Sequence, residues 1–531
     1  MMGDPFFSLS SSLPERLAKS AAAHRNYTAI SEFRVLNRKA LKDCPDLNPY
    51  LQINTSSIAK LSDDGYITVN VTGVLLPSTN DWVAMISPSH ATVTACLENS
   101  ILYKETGDFS SLPLLCHYPV KAQRLRSDPD YLSCKKKECK KKVNGKCVLR
   151  TCGASLSFHV INIRTDIEFV LFAGGFVTPC ILRRSRPLTF ANPNKPLYGH
   201  ISSTDSTAKS MRVTWVSGSQ RPQHVQYGNG KSATSLVSTF SQSDMCNIIE
   251  AMADELSSGG VDSIYHIGDI SYATGFLVEW DFFLHQINPV ASKVSYMTAI
   301  GNHERDFGDS GSVYSTPDSG GECGVPYETY FPMASVAKDK PWYSIEQGSV
   351  HFTIISTEHN WTQNSEQYEW MKKDMASVDR SRTPWLIFKG HRPMYSSNDG
   401  NIILPTVDDK FVRAVEPLLL ANKVDLVLVG HVHNYERTCA VYKQQCKSMP
   451  KKDGNGIDTY DNTKFSAPVH AVIGMAGFSL DKFSNKGKPW SLVRISEFGY
   501  TRVHATKKEL KVEYVNSNTR KVEDSFRIIK S

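Results

Sequence analysis

A carboxylate, a phenol, a carboxamide and an imidazole fall close together between Tyr265 and Arg305. They sit in Gly268-Asp269-Ile270-Ser271-Tyr272 and in Gly301-Asn302-His303-Glu304. Further along stand Gly390-His391 and Gly430-His431-Val432-His433. Hard oxygen donors mixed with imidazoles suit iron, zinc or manganese rather than copper or calcium. Each piece alone is weak evidence, because a Gly-Asp pair at a turn is more often structural and a lone tyrosine usually packs. Their common setting gives them weight.

That setting is the end of a buried strand. Asp269 follows Val261-Asp-Ser-Ile-Tyr-His-Ile267, and Asn302 follows Val294-Ser-Tyr-Met-Thr-Ala-Ile300. His391 follows Trp385-Leu-Ile-Phe-Lys-Gly390, and His431 follows Val424-Asp-Leu-Val-Leu-Val-Gly430. Such runs read as strands with most of their surface buried. Open α/β sheets hold their ligands at the carboxyl ends of strands. A glycine there lets the backbone turn without a Cβ penalty. An extended chain at 431–433 places both imidazoles on one side.

The flanking pattern alternates helix and strand, as an α/β domain requires. Helices are predicted at 248–257, 366–376 and 411–421. Strands are predicted at 261–267, 294–300, 350–356, 385–388 and 424–429, with a strand-rich tail from Pro468 to Ile529. Upstream, Tyr66 to Val74 alternates with period two, Asp81–Ile86 follows, and Leu156–Gly174 supplies two more strands. An all-β sandwich over about 60–185 is the simplest reading, with helical and then irregular chain before it. Met211–Val216 and His224–Gly228 look like the opening strands of a fibronectin-type sandwich, yet the helical pattern begins at Ile248. That second sandwich is cut short. The expectation is a multidomain chain. An N-terminal β-rich domain (1–190) is followed by a truncated fibronectin-type segment (195–245) and a C-terminal α/β domain (246–531).

A chain of 531 residues needs more than one domain. Its net charge of +7 is mild, and much of it lies in one lysine-rich stretch. That stretch encloses Cys134, Cys139, Cys147 and Cys152, read as two disulfides in an exposed insertion, with zinc as the competing reading. Twelve cysteines and the sequons at Asn26, Asn54, Asn70 and Asn360 point to an oxidising, secreted setting. Met1 to Ser20 carries only a short apolar patch after an acidic residue, so no signal peptide is visible. No apolar run approaches the ~20 residues of a membrane span, and neither a membrane nor a nucleic-acid partner is expected.

The motif set GDxxY, GNHE, GH and GHxH, in that order, resembles that of the purple acid phosphatases, most closely the large plant type of this metallophosphoesterase family. The likeness is specific from about Ile248 to the C-terminus and looser upstream. It implies a C-terminal metallophosphoesterase fold, an α/β sandwich, with a dinuclear centre. Asp269 would bridge the metals, Tyr272 and His433 would bind Fe(III), and Asn302, His391 and His431 a divalent ion (Zn, Mn or Fe). Two such metals clamp a phosphate and supply hydroxide as in-line nucleophile. His303 would act at the phosphoryl oxygens or the leaving group, and Arg392 would face the phosphate or pair with a carboxylate. The implied activity is phosphate-monoester hydrolysis at acid pH by a secreted glycoprotein.

One family motif is missing. The GDxG strand, whose Asp is a ferric ligand, should precede the helix at 248–257, where Thr239–Asn247 is polar and offers only Asp244. One deletion between about Gly230 and Ile248 accounts for this and for the shortened sandwich. The alternatives to an impaired enzyme are a non-catalytic binding or regulatory form of the same fold, and a phosphodiesterase or nucleotide pyrophosphatase. Loops 306–340 and 393–410 would set the substrate.

Overall fold

The computed structural model describes residues 42–45, 48–56, 60–89, 120–175, 178–219, 221, 223–227, 231–234, 247–335, 337–398, 406–477, 479–484 and 487–530. Asp244 and Asn26 lie outside them. The chain divides into two compact units. The first takes in Met1–Leu197, Val216–Ser241 and Phe276–Glu279, and the second the remainder.

The first unit is the expected sandwich. One sheet has the order β1-β9-β8-β4-β5, from Lys42–Asp43 (β1), Trp82–Ile86 (β4), Lys121–Arg124 (β5), Glu168–Ala173 (β8) and Cys180–Arg184 (β9). The other runs β2-β3-β7-β6, from Gln52–Thr55 (β2), Asp64–Val74 (β3), Lys137–Val143 (β6) and Lys146–Ile161 (β7). Period-two patterning decides which face is inward: Ile67, Val69 and Val71 of β3 are buried while Thr68 is exposed. Phe158 meets Phe169 of the facing sheet with ring centroids 5.0 Å apart. The short strands β1 and β2 fall where irregular chain was expected. The four clustered cysteines form Cys134–Cys152 and Cys139–Cys147, which excludes zinc there, and Cys44–Cys180 joins β1 to β9. Two short pairs follow: Leu197–Ser203 (β10) with Met211–Val216 (β11), and His224–Tyr227 (β12) with Lys231–Thr234 (β13).

The second unit carries the α/β alternation. Asn247–Ser258 (α1) leads to Ser263–Ile267 (β14), Val278–Ala291 (α2) leads to Ser295–Ala299 (β15), and β14 and β15 pair in parallel. Asn302–Arg305 (α3) and Val325–Tyr330 (α4) precede Tyr343–Gln347 (β16) and Val350–Ile354 (β17). Glu366–Ala376 (α5) precedes Trp385–Gly390 (β18), and Asp409–Ala421 (α6) precedes Leu426–Val429 (β19). The tail supplies Tyr435–Tyr442 (β20), Gln445–Ser448 (β21), Lys451–Lys452 (β22), Asp458–Asp461 (β23) and Val469–Ile473 (β24). Ser491–Ile495 (β25), Gly499–Ala505 (β26), Glu509–Asn516 (β27) and Val522–Ile529 (β28) complete it.

The larger sheet runs β16-β17-β18-β19-β24-β20-β21, with β17, β18, β19 and β24 parallel. Every residue of β17, β18 and β19 is buried, as parallel strands covered on both faces require. Met371 and Met375 of α5 and Phe411, Val415 and Leu419 of α6 pack on Leu386, Phe388, Val427 and Val429. Both helices begin where the sequence supplies a cap: Ser365 accepts from Tyr368 N–H at 3.2 Å, and Asp408 from Lys410 N–H at 2.7 Å. Helix α2 was not anticipated. Its sequence, rich in Trp, Phe, Leu and Ile, is buried almost throughout, so no polar stripe reveals the helical period.

Candidate metal centre

The ends of β14, β15, β18 and β19 deliver the sequence-predicted residues to one place. Asp269, Tyr272 and His431 all adopt left-handed backbone, with φ of 52°, 51° and 66°. Non-glycine residues rarely do so, and such strain collects at functional sites. The chain at 431–433 is therefore not extended as expected. The left-handed turn at His431 sends the two imidazoles to different halves of the cluster. Two glycines make the close approach possible. A Cβ on Gly301 would lie 2.4 Å from Asp269 Oδ1, and one on Gly268 would lie 2.4 Å from His391 Nδ1.

One half holds four donor atoms around a common point. His391 Nε2 lies 2.9 Å from Asn302 Oδ1 and 3.1 Å from Asp269 Oδ2. His431 Nδ1 lies 3.0 Å from Asn302 Oδ1 and 3.2 Å from His391 Nε2. Partners further out fix the aim of each. His391 Nδ1 sits 3.0 Å from the Ile267 carbonyl, which accepts its proton and turns Nε2 inward. Asn302 Nδ2 donates to Asp318 Oδ2 at 3.0 Å, turning Oδ1 to the centre. The other half holds Tyr272 and His433, whose Oη and Nε2 are 2.8 Å apart, with Tyr272 Oη 3.4 Å from Asp269 Oδ2. His433 Nδ1 is 2.9 Å from Ser479 Oγ, and its backbone N–H donates to Asp481 at 2.9 Å.

Protonation suits this set to cations. Burial alone would raise the Asp269 carboxyl, yet His391 and His303 beside it hold it well below its ordinary value. Burial opposes a charge on His391, but Asp269 pushes the imidazole up to about 9. Burial, helped by Arg392 and His391, holds His431 well below the usual range, and burial also lowers His433. Both therefore offer neutral lone pairs. Burial pushes the Tyr272 phenol well above its ordinary value, and Asp269 and Glu304 add to the shift. Only a strongly charged neighbour would make that phenol a phenolate. Ionised Asp269, the neutral His431 and His433 rings, a carboxamide oxygen and His391 once it releases its proton are a donor set that fits divalent and ferric ions.

His303 stands beside the cluster, its ring 4.5 Å from Tyr272 and its backbone N–H donating to Asp269 Oδ1 at 3.1 Å. Its Nδ1 lies 3.2 Å from the Asp318 carbonyl. Arg392 does not face open space. Its guanidinium donates to Glu358 at 2.9 Å and Asp306 at 2.8 Å, both fully buried, and stacks on Tyr314 at 4.0 Å. Its Nη1 is 3.3 Å from His431 Nε2. Among the sequons, Asn54 and Asn360 are exposed and Asn70 is half-buried.

Sequence reading missed two residues. Glu304 was only a motif letter, yet its carboxylate accepts the backbone N–H groups of Asp269 (2.9 Å), Ile270 (2.7 Å) and Gly301 (3.0 Å). It pins the two strand ends together, and burial with Asp269 nearby pushes it up to about 8. Asp318 sits in a polar loop with no strand behind it, so only the short, Gly-rich Asp318-Ser-Gly-Gly could have marked it.

A cavity of about 1600 Å³ opens beside the cluster within the second unit, and Tyr272, His433, His391 and His431 all line it. β14 and β26 both line it. Among the described residues, β14 pairs only with β15 and β26 only with β27, so each turns an unpaired edge to that space.

Strand-end donors from β14, β15, β18 and β19 converge on one cluster, and residues 240–435 match the family model described as calcineurin-like phosphoesterase. Residues 53–192 match an Fn3-like domain from purple acid phosphatase, and 467–525 an iron/zinc purple acid phosphatase-like protein C region. The Fn3-like match thus falls on the N-terminal sandwich, and these three matches leave 193–239 uncovered. The chain is 31% identical to "Probable inactive purple acid phosphatase 27" of Arabidopsis thaliana over 551 residues, covering 86% of this chain and 85% of that one. It is 36% identical to a "Nucleotide pyrophosphatase/phosphodiesterase" of Hordeum vulgare over 53% of this chain and 75% of the other. Among solved structures, the purple acid phosphatase PPD1 of yellow lupin (Lupinus luteus) seeds superposes with a TM-score of 0.72 and 27% identity, over 91% of this chain and 96% of that one. This chain belongs to the purple acid phosphatase family, whose members depend on a dinuclear metal centre and act on phosphate esters.

Proposed function

We propose that the chain is a metal-dependent phosphate-monoester hydrolase with one strong and one weakened metal position. The supporting observation is the convergence of Asp269, Asn302, His391 and His431, whose donor atoms lie 2.9–3.2 Å from one another along each close pair. These four would hold a divalent ion (zinc, manganese or iron(II)), while Tyr272 and His433, with Asp269 shared, would hold ferric iron. When bound, such metals supply the positive charge that holds a phosphoryl group and activates attacking water. The protein's own part is orientation. Glu304 fixes the backbone of both strand ends, and Asp318 fixes the Asn302 carboxamide and the His303 ring. His303, with Nδ1 held by the Asp318 carbonyl, presents Nε2 to donate a proton to the departing alkoxide. Arg392 acts by positioning: neutralised by Glu358 and Asp306, it supports the His431 ring.

The weakened position follows from an internal loss. The alignment to the Arabidopsis relative spans 551 residues, longer than the matched 86% of this 531-residue chain, so part of the relative has no counterpart here. The unpaired edges of β14 and β26 facing one cavity support a strand missing between them, ahead of a catalytic domain over 246–531. The truncated segment over 195–245 agrees with that loss. Disulfides support passage through an oxidising compartment, and exposed Asn54 and Asn360 would be the accessible glycan acceptors.

A non-catalytic reading draws on the same weakness and on the relatives named probable inactive. A phosphodiesterase reading draws on the barley relative's name. Metal analysis and a visible spectrum on the purified chain, with phosphate release from a generic monoester at acid pH, decide among them. The proposal expects bound divalent metal, substoichiometric iron and slow release. A full iron complement with a strong tyrosinate band would remove the weakened position, and metal without any hydrolysis would favour the binding reading. Cleavage of a bis-ester faster than the monoester would favour the phosphodiesterase.

A further inference from the structure

The ribbon of β6 and the first half of β7 lies in the first unit and has no role in the metal centre. β3 accompanies β7 only from Ile161 to Cys152, where Val74 pairs with Cys152. Beyond that, Lys146–Thr151 pair with β6 alone, so the two strands extend past the sandwich as an arm. Its tip is Asn144-Gly145, with φ of 49° and 75°, the left-handed pair that closes a tight hairpin. A free two-stranded ribbon is marginally stable in water. Here Cys134–Cys152 closes the base and Cys139–Cys147 crosses the arm. Those links restrict the unfolded chain and make the ribbon a fixed projection.

What the arm presents is positive charge. Lys135, Lys136 and Lys140 are occupied by Asp130, Asp128 and Glu138 at 3.0, 2.5 and 2.5 Å. Lys137, Lys141, Lys142, Lys146 and Arg150 are exposed and form no ion pair among the described residues. Glu138 is the one acidic residue between Tyr131 and Cys152. Strands lie ~4.8 Å apart and rise ~3.3 Å per residue. Lys141, Lys142 and Lys146 near the tip therefore fall within roughly one Debye length of a neighbour, ~8 Å at physiological salt, and Lys137 extends the same positive face ~16 Å towards the base.

The chemistry of the arm selects among anions. Ammonium heads are point charges without the planar fork that reads single phosphates. No aromatic side chain stands between Leu132 and Cys152 to stack on bases. The arm exposes Val143 and Val148 beside a half-buried Leu149, and has none of the Trp or Phe anchors that hold a protein in a bilayer interface. We propose that the Cys-stapled β6–β7 arm is a docking site for a linear acidic polysaccharide, whose repeating carboxylate or sulfate groups meet Lys137, Lys141, Lys142 and Lys146.

The test is binding of the full chain to immobilised polygalacturonate and dextran sulfate across a salt series, with neutral dextran, duplex DNA and anionic vesicles as comparisons. Binding to at least one acidic glycan, tightening as salt falls, is expected; the preferred glycan assigns carboxylate or sulfate as the group read. A chain carrying K137Q, K141Q, K142Q and K146Q together should bind at least tenfold more weakly with a shallower salt dependence. The same four positions changed to Arg should retain binding. An unchanged melting temperature and metal content in the Gln chain shows that the fold is intact. Undiminished binding by the Gln chain, equal binding to neutral dextran, or preference for DNA or vesicles over both acidic glycans would overturn the proposal.

Discussion

The two halves of the metal centre share Asp269 but are built differently. On the His391 side every donor has a second partner that aims it inward: the Ile267 carbonyl for His391, Asp318 for Asn302, Arg392 for His431. On the Tyr272 side the phenol and His433 contact each other directly at 2.8 Å, although Ser479 also stands 2.9 Å from His433 Nδ1, and residues of both halves line the cavity between β14 and β26. Donors held by outer partners keep their geometry before a metal arrives. Donors that bond one another, as Tyr272 and His433 do, must be separated first. The first half is organised by outer partners and the second by the contact between its own two donors.

The shared residue gives the largest effect. Asp269→Ala should remove metal from both halves and lower phosphate release at least a thousandfold, read by metal analysis and initial rates. Metal retained at either position would show that the halves are independent. Next in size are single-side changes. His391→Ala should weaken divalent-metal binding by more than tenfold, whereas Tyr272→Phe should leave the divalent ion bound and abolish any visible absorption from iron. If Tyr272→Phe also strips the divalent ion, the two halves are one cooperative unit and the contrast fails.

The same contrast marks how far the sequence could be read. The candidate ligands at strand ends were legible because a buried parallel strand announces itself as an apolar run, and the residue after it inherits a fixed place. That logic found Asp269, Asn302, His391, His431 and, through GHxH, His433. It failed on residues held by loops. Asp318 follows no strand, and Glu358 and Asp306 are carboxylates buried far apart in sequence that meet only because Arg392 lies between them. Helix α2 escaped because a fully buried helix has no polar stripe. The extended reading of 431–433 failed because φ at His431 is a tertiary choice: the residue accepts the left-handed region to bring Nδ1 onto Asn302.

Asp318 tests whether outer partners explain the stronger half. Asp318→Ala frees the Asn302 carboxamide to rotate and should weaken divalent-metal binding about tenfold, within the ~10–100-fold typical of such partners. Asp318→Asn keeps an acceptor oxygen and should recover most of that loss. Equal losses in both variants, or an unchanged metal affinity in Asp318→Ala, would show that the Asp318 carboxylate does not aim the Asn302 carboxamide.

The smallest effect is in stability against pH, and its sign differs with and without metal. In the metal-free chain His391 has its pKa pushed up to about 9 from 6.5, burial being overcome by Asp269. Its stabilising contribution is complete below pH 6.5 and is lost as pH rises through 9. Glu304, pushed up to about 8 from 4.5 by burial and Asp269, favours the folded state while protonated, and that contribution also disappears as pH rises. Asp269 runs the other way: its lowered pKa contributes above 3.8 and is lost only in stronger acid, so it does not offset the decline at neutral pH. The metal-free chain should therefore melt several degrees lower at pH 9 than at pH 6. A divalent ion must displace the His391 proton to reach Nε2, so its affinity rises over the same interval, and saturating metal should flatten or reverse the decline. A metal-free chain equally stable at both pH values would mean that the Asp269–His391 pair is not the charge that holds the organised half together.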